Sequence, residues 1–183
     1  MKSIAVYCGA SNGAKPLYAD AARSLARVLV EHNIALVYGG GKVGLMGVIA
    51  DEVLRLGGEA TGVIPRALVE REVGHAGLTR LFVVKDMHER KAMMADLAEG
   101  FIAMPGGFGT LEELFEMVTW AQLGIHAKPI GLLNVDGFYD GLVGFARHQV
   151  EEGFVREGHA ELMHVDADAD ALVKRLRGAG GVA

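Results

Sequence analysis

One cysteine, Cys8, is the whole thiol content of the 183 residues, which excludes an internal disulfide and fits a reducing, cytoplasmic setting. No apolar run reaches the roughly 20 residues of a membrane span. The opening Met1-Lys2-Ser3-Ile4-Ala5-Val6 carries too short an apolar stretch for a secretory signal, so neither membrane nor export is expected. There is no block of lysine and arginine, and the net charge is −5, so the basic footprint of a nucleic-acid partner is missing. The seven histidines show neither H-x-H nor H-E-x-x-H spacing, and no metal site is expected. There is no internal repeat and no linker. What remains is a globular composition, 51% apolar and 22% charged, of a length that suits one domain. A single domain over residues 1–178 is expected, with a frayed tail at 179–183.

The 26 glycines are abundant, and many follow strand-like runs. Short apolar runs at 4–8, 34–38, 61–65, 81–84, 101–104, 129–133 and about 163–165 read as strands. Helices alternate with them. Pro16 opens one that carries Leu17, Ala21, Leu25, Val28 and Leu29. A second runs through Met46, Ile49, Val53 and Leu54 and ends at Gly57-Gly58. Others are expected at 86–98, about 111–123, 138–151 and 169–176, while 66–77 reads as a loop. Continuous apolar strands alternating with helices predict an α/β fold, a Rossmann-like doubly wound parallel sheet with helices on both faces. Ligands in such sheets bind at the carboxyl ends of the strands, where the glycine loops lie.

Three loops carry candidate chemistry. Gly9-Ala10-Ser11-Asn12-Gly13 matches a nucleophile elbow after a strand. No acid and histidine stand out as triad partners, so a polar turn contacting substrate is the better reading. Gly39-Gly40-Gly41-Lys42-Val43-Gly44 satisfies G-x-G-x-x-G. It follows the second strand, no acidic residue ends the next one, and the Walker ending is missing. Phosphate binding by its amides and a tight turn without ligand both stand. The third is Pro105-Gly106-Gly107-Phe108-Gly109-Thr110-Leu111-Glu112-Glu113. Its glycines let amides converge at a helix start, and Thr110 adds a hydroxyl, which makes an anion nest. Thr110-x-x-Glu113 is equally a capping box, with Thr110 as N-cap. If a phosphate sits at Thr110, three residues of helix advance about 4.5 Å and bring Glu113 beside the sugar. An ionised carboxylate there suits stabilisation of an oxocarbenium ion or activation of water.

In Asp86-Met87-His88-Glu89-Arg90-Lys91, helical spacing puts Met87, Arg90, Met94 and Leu97 on one face. An arginine on an apolar stripe needs an anionic partner. That partner is Asp86, one turn back, or a substrate that a guanidinium could bind while orienting Glu113, unless Arg90 is a rim residue with only its stem buried. The methionines suit core or interface. The helix with Leu114, Phe115, Met117, Val118, Trp120 and Leu123 is apolar on more than one face, so it packs on the sheet and on a second subunit, or lies in a monomer core.

Pro105-Gly106-Gly107-Phe108-Gly109-Thr110-Leu111-Glu112-Glu113 and Met87-His88-Glu89-Arg90-Lys91 together resemble the Lonely-guy (LOG) phosphoribohydrolases, which activate cytokinins and were often labelled lysine decarboxylases. The resemblance extends from Gly9-Ala10-Ser11 to Glu151-Glu152-Gly153-Phe154. It includes Tyr38-Gly39-Gly40-Gly41, Gly44-Leu45-Met46-Gly47, Thr119-Trp120-Ala121-Gln122-Leu123-Gly124 and Gly131-Leu132-Leu133-Asn134-Val135-Asp136-Gly137. Phe108 stands where the family often carries tyrosine. The resemblance implies a Rossmann-like homodimer without cofactor, in which both chains can contribute to a site. It implies Arg90 and Glu113 as catalytic pair, and substrate contacts from Glu72, Arg90, Lys91, Gly107, Phe108, Gly109, Thr110, Leu111, Glu112, Glu113 and Thr119.

The expected activity is hydrolysis of the N-glycosidic bond of AMP or an N6-modified adenosine 5′-monophosphate, which releases base and ribose 5-phosphate. A non-catalytic nucleotide carrier on the same fold would share the glycine loops without needing both Arg90 and Glu113. A decarboxylase would require pyridoxal phosphate and a Schiff-base lysine.

Overall fold

The computed structural model describes residues 1–69 and 74–179. Along the first strand, β1 (Ser3–Tyr7), Ile4 and Val6 belong to one apolar cluster and Ala5 and Tyr7 to another. Period-two alternation between two buried clusters is what a sheet covered on both faces demands.

The chain continues through α1 (Leu17–Glu31), β2 (Ala35–Tyr38), α2 (Gly44–Arg55) and β3 (Ala60–Pro65), then β4 (Arg80–Val84), α3 (Met87–Leu97), β5 (Phe101–Ala103) and α4 (Phe108–Gln122). It ends with β6 (Ile130–Leu133), α5 (Asp140–Glu151), α6 (Glu157–Ala160), β7 (Met163–Asp166) and α7 (Ala169–Ala179). The order β4-β3-β2-β1-β5-β6-β7 is parallel at every pairing, the doubly wound arrangement expected. Residues of α1, α2 and α7 fill one cluster. Residues of α3 and α4 fill the other, with Phe101 stacked on Tyr7 at its centre.

Several elements differ from expectation. Residues 66–77, read as loop, contain a 3-10 turn at Arg66–Leu68, and Gly74 bridges Gly41. The four-residue α6 was not foreseen, because a single turn has no periodicity to detect. Helix α7 runs to Ala179, past the expected end at 176, and residues 180–183 of the expected tail lie outside the described residues. Strand β4 is not covered on both faces, since Leu81, Phe82 and Val83 are exposed among the described residues. It is an edge strand, and an apolar run alone does not reveal position in a sheet. Among the described residues, no helix is long and apolar enough to cross a membrane.

The chain winds outward from β1 to β4 on one side and from β5 to β7 on the other. The order therefore reverses between β1 and β5. A crevice opens there at the carboxyl ends of the strands.

Candidate active site

A cavity of about 270 Å³ occupies that crevice. Cys8 and Ala10 border it from the end of β1, Gly39 from the end of β2, Arg90 from α3, and Thr110 and Glu113 from α4. Its size is near the lower end for small-molecule sites, on the order of 300 Å³.

Arg90 is only 4% exposed. Its Nε donates to the carbonyl oxygen of Val63 at 3.0 Å, and Nη2 to that of Gly39 at 2.8 Å. The sulfur of Met87 lies 3.7 Å from Nη1. Two carbonyls thus fix the guanidinium plane on the cavity wall, and its remaining N–H donors lie in that plane, along the edge by which a guanidinium binds an oxyanion. The expected pairing of Asp86 with Arg90 gives way to another role. Asp86 is the N-cap of α3 and accepts from the Glu89 amide at 3.0 Å. Glu89 reaches back to the Lys85 amide at 2.7 Å. This reciprocal cap sits at Asp86-x-x-Glu89, not at Thr110-x-x-Glu113.

The second correction follows from the start of α4. The helix begins at Phe108 with Gly107 as N-cap, three residues before the expected start near 111. Thr110 is therefore the third helical residue, and no side chain caps this end. Glu113 lies one turn further in and borders the same cavity as Thr110. The first free amides of the helix, with its positive dipole end, face the crevice.

The glycines divide by what fills the space around them. A Cβ on Gly39 would lie 2.0 Å from Arg90 Nη2, and one on Gly44 2.3 Å from the backbone of Ala10 and Ser11. A Cβ on Gly106 would lie 2.1 Å from Thr110 Oγ1. Packing by protein thus accounts for the absence of a side chain at Gly39 and Gly44 of the G-x-G-x-x-G loop, while Gly39 also borders the cavity. Gly107 and Gly109 are different. Beyond the adjoining residues and the helix's own backbone, nothing among the described residues lies within 4 Å of a Cβ built on either, and Gly107 has φ −96° and ψ −158°, open to any residue. Both border the cavity. Bare backbone there borders open cavity space rather than a packed neighbour.

Lys91 is buried, and its Nζ pairs with Glu112 and with Glu116 at 3.1 Å. Burial pushes the ammonium down, but hydrogen bonds and charge from the two glutamates outweigh it and hold it above its ordinary value. Neither Lys91 nor Glu112 borders the cavity among the described residues. Leu111 packs against the core beside the sheet, Phe108 is 93% exposed at the helix start, and Thr119 is exposed three turns along α4. Glu72 lies outside the described residues. Ser11 is exposed and lines a separate recess of about 210 Å³ with Tyr18 and Phe138.

Sequence reasoning missed Cys8, Met46 and Leu68 as cavity residues. Met46 and Leu68 look like core positions, and only the end of β1 marked Cys8. Burial, and then the charge of Glu113, push the Cys8 thiol up, so it meets the cavity as a neutral wall. Burial and the same carboxylate raise Tyr7. No lysine borders the cavity among the described residues, so pyridoxal phosphate would find no Schiff-base partner there.

A family model described as "Possible lysine decarboxylase" matches residues 46–176. Two Arabidopsis thaliana proteins named cytokinin riboside 5′-monophosphate phosphoribohydrolase are 50% and 54% identical over 175 residues, covering 96% of this chain and 81% and 82% of theirs. A protein of the same name from Oryza sativa subsp. japonica is 51% identical, covering 96% of this chain and 72% of its own. Among solved structures, the molybdenum cofactor binding protein of Rippkaea orientalis superposes with a TM-score of 0.72 at 19% identity, over 96% of this chain and 95% of that one. At that identity the likeness shows the fold alone.

Proposed function

The chain belongs to the cytokinin riboside 5′-monophosphate phosphoribohydrolase family, and from that premise we infer that it is a hydrolase cleaving the N-glycosidic bond of a nucleoside 5′-monophosphate. The base is adenine or an N6-substituted adenine. Water supplies hydroxide to C1′ and a proton to the departing base nitrogen, and ribose 5-phosphate is the second product.

The single observation that carries the reading is the unfilled space at Gly107 and Gly109, beside Thr110 and one turn before Glu113. The phosphate sits on the first amides of α4 and the Thr110 hydroxyl, where orphan N–H groups and the helix dipole favour an anion. The ribose then extends along the helix toward Glu113. Its carboxylate offsets the positive charge that builds at the anomeric carbon, or takes a proton from the attacking water. Arg90, with two of its nitrogens held by carbonyls, presents the guanidinium to substrate hydroxyls or phosphate. Glu72, Lys91, Phe108, Leu111, Glu112 and Thr119 belong to the proposed substrate contacts on the family resemblance. Glu112 and Lys91 would have to loosen their ion pair to reach a ligand.

The test is a product assay. Purified protein incubated with AMP, N6-isopentenyl AMP and other nucleoside monophosphates should release free base and ribose 5-phosphate in equal amounts. Tight binding without product would point to a carrier instead, and no product from any nucleotide would sink the hydrolase reading.

The protein is a homodimer in this reading. Helix α4 turns Thr110, Leu114 and Met117 inward, while Phe115 and Leu123 stay exposed beside Ile125. A surface of this kind favours a self-complementary two-fold contact. Sedimentation should give twice the chain mass of 19.4 kDa, and Phe115→Glu should shift it toward the monomer. A wild-type protein that sediments as a monomer at all concentrations would refute the dimer. The single buried free thiol supports a cytoplasmic location.

A further inference from the structure

Residues 134–139 join β6 to α5 and fall within the family resemblance, yet none of them borders the cavity. The turn they form is tightly constrained. Asp136 and Gly137 both take left-handed backbone, with φ of 52° and 70°. Aspartate tolerates that region better than most side chains, but it is uncommon there. Asn134 uses both ends of its amide. Its Oδ1 accepts from the Tyr139 amide at 2.7 Å, and its Nδ2 donates to Asp140 Oδ1 at 2.7 Å. The Asn134 backbone amide donates to the Asp166 carbonyl at 2.8 Å, which ties the turn to the end of β7. Lys15 pairs with Asp136 from α1's side of the sheet. The outcome is a fixed place for Tyr139, which is buried with the ring of Phe138 edge-on at 5.0 Å.

The Tyr139 hydroxyl donates to the Met104 carbonyl at 2.6 Å in the interior. That carbonyl marks a fault in the sheet. Between β1 and β5, Ala5 donates to Gly100 at 2.9 Å and Met104 donates to Tyr7 at 2.8 Å. One further step of a parallel ladder would have the Gly9 amide donate to Met104. Gly9 donates instead to Pro105, at 3.1 Å. The ladder has slipped by one residue, as at a bulge, and the Met104 carbonyl is left to the phenol. The slip lies directly before Gly106 and Gly107. Gly106 is tucked beside Thr110, where a Cβ would lie 2.1 Å from Oγ1 and 2.9 Å from the Gly9 amide nitrogen, and Gly107 is the N-cap of α4.

We propose that Tyr139 is a positioning residue, whose phenol holds this slip between β1 and β5 and with it the turn that aims the first amides of α4 at the substrate phosphate. It rests on the placing of that phosphate at the start of α4. A buried carbonyl without a donor is costly, and the Gly9 amide is the donor that regular pairing would give it. Without the hydroxyl, Gly9 returns to Met104, and Gly106 and Gly107 are drawn out of place. Burial above all pushes the Tyr139 phenol up, so it keeps the proton it donates.

Tyr139→Phe removes the hydroxyl and keeps the ring. Ribose 5-phosphate, measured by calorimetry on the full chain, should bind about tenfold more weakly to this variant, the effect of one hydrogen-bonding group out of place. Adenosine, which lacks the phosphate, should keep its wild-type affinity. A crystal structure of the variant should show the Gly9 amide on Met104 instead of Pro105. A ring that only fills space predicts wild-type affinity and an unmoved Gly9, and a hydroxyl that only adds stability predicts a lower Tm with ribose 5-phosphate affinity unchanged. Either outcome overturns the proposal. Should Tyr139→Phe fail to fold, Asn134→Ala, which frees the Tyr139 amide, decides: it should weaken ribose 5-phosphate and spare adenosine, and unchanged affinity for both refutes the proposal. A wild-type chain that binds no ribose 5-phosphate defeats the phosphate placement and this proposal with it. Binding retained in both wild type and Tyr139→Phe defeats this proposal alone. The affinities are read without turnover, so failure of wild type to release base would count against the hydrolase reading by itself.

Discussion

Glu113→Gln is expected to lower base release by about two to four orders of magnitude while nucleotide binding changes little. Glutamine keeps the shape of the side chain and can still hydrogen-bond. It cannot hold a negative charge beside an anomeric carbon turning cationic, and it cannot take a proton from water. The loss therefore falls on kcat and spares Kd, as it does for an interaction made only in the transition state. Stability should stay near wild type, because the cap of α4 is Gly107 and no side chain seals that end. Single-turnover rates with AMP and its N6-isopentenyl analogue, beside equilibrium binding and thermal melting, check the three parts. Wild-type turnover would remove Glu113 from the mechanism. A large drop in Tm with proportionate loss of binding would make it a structural residue.

The second large effect is expected from one methyl group. In Gly39→Ala the new Cβ would lie 2.0 Å from Arg90 Nη2 and 3.1 Å from the sulfur of Met46. Arg90 cannot swing away freely, because it is buried and its Nε is tied to Val63. The guanidinium must give up at least the bond from Nη2 to Gly39, and a displacement of about 1 Å in a positioned group can cost on the order of a hundredfold in rate. Leaving one donor unsatisfied in the interior costs about 1–3 kcal/mol more. Arg90→Lys should lose activity for a related reason, since one ammonium cannot reproduce the planar fork held by two carbonyls. Turnover and melting of both variants, with a crystal structure of Gly39→Ala, test the argument. An alanine variant with normal kcat and an unmoved Arg90 would show that this close approach does not control the site.

Glu113 and Arg90 stood out in the sequence because charge is conspicuous on apolar or glycine-rich segments. Their meeting in one cavity is a tertiary fact, set by the reversal of strand order between β1 and β5. The capping box is the instructive failure. Both Asp86-x-x-Glu89 and Thr110-x-x-Glu113 have suitable chemistry, and only the backbone path selects the first. At Gly107 the chain enters α4 early enough to carry Thr110 inside the helix, so its hydroxyl packs at Gly106 and its carboxylate neighbour borders the cavity. Lys91 shows a different limit. Adjacent in sequence to Arg90, it points to partners twenty-one and twenty-five residues on, at Glu112 and Glu116.

The succession of apolar strands, amphipathic helices and glycine turns was enough by itself to determine a parallel, doubly wound sheet and the strand ends at which its crevice opens. Those patterns are periodic and local, and backbone geometry converts them directly into elements. Which glycines are packed against by protein and which face open space was decided only in three dimensions. Gly39 and Gly107 look alike in a row of letters. One is filled by an arginine fifty-one positions away and the other faces open space, because occupancy at a missing Cβ depends on distant side chains that close packing brings together.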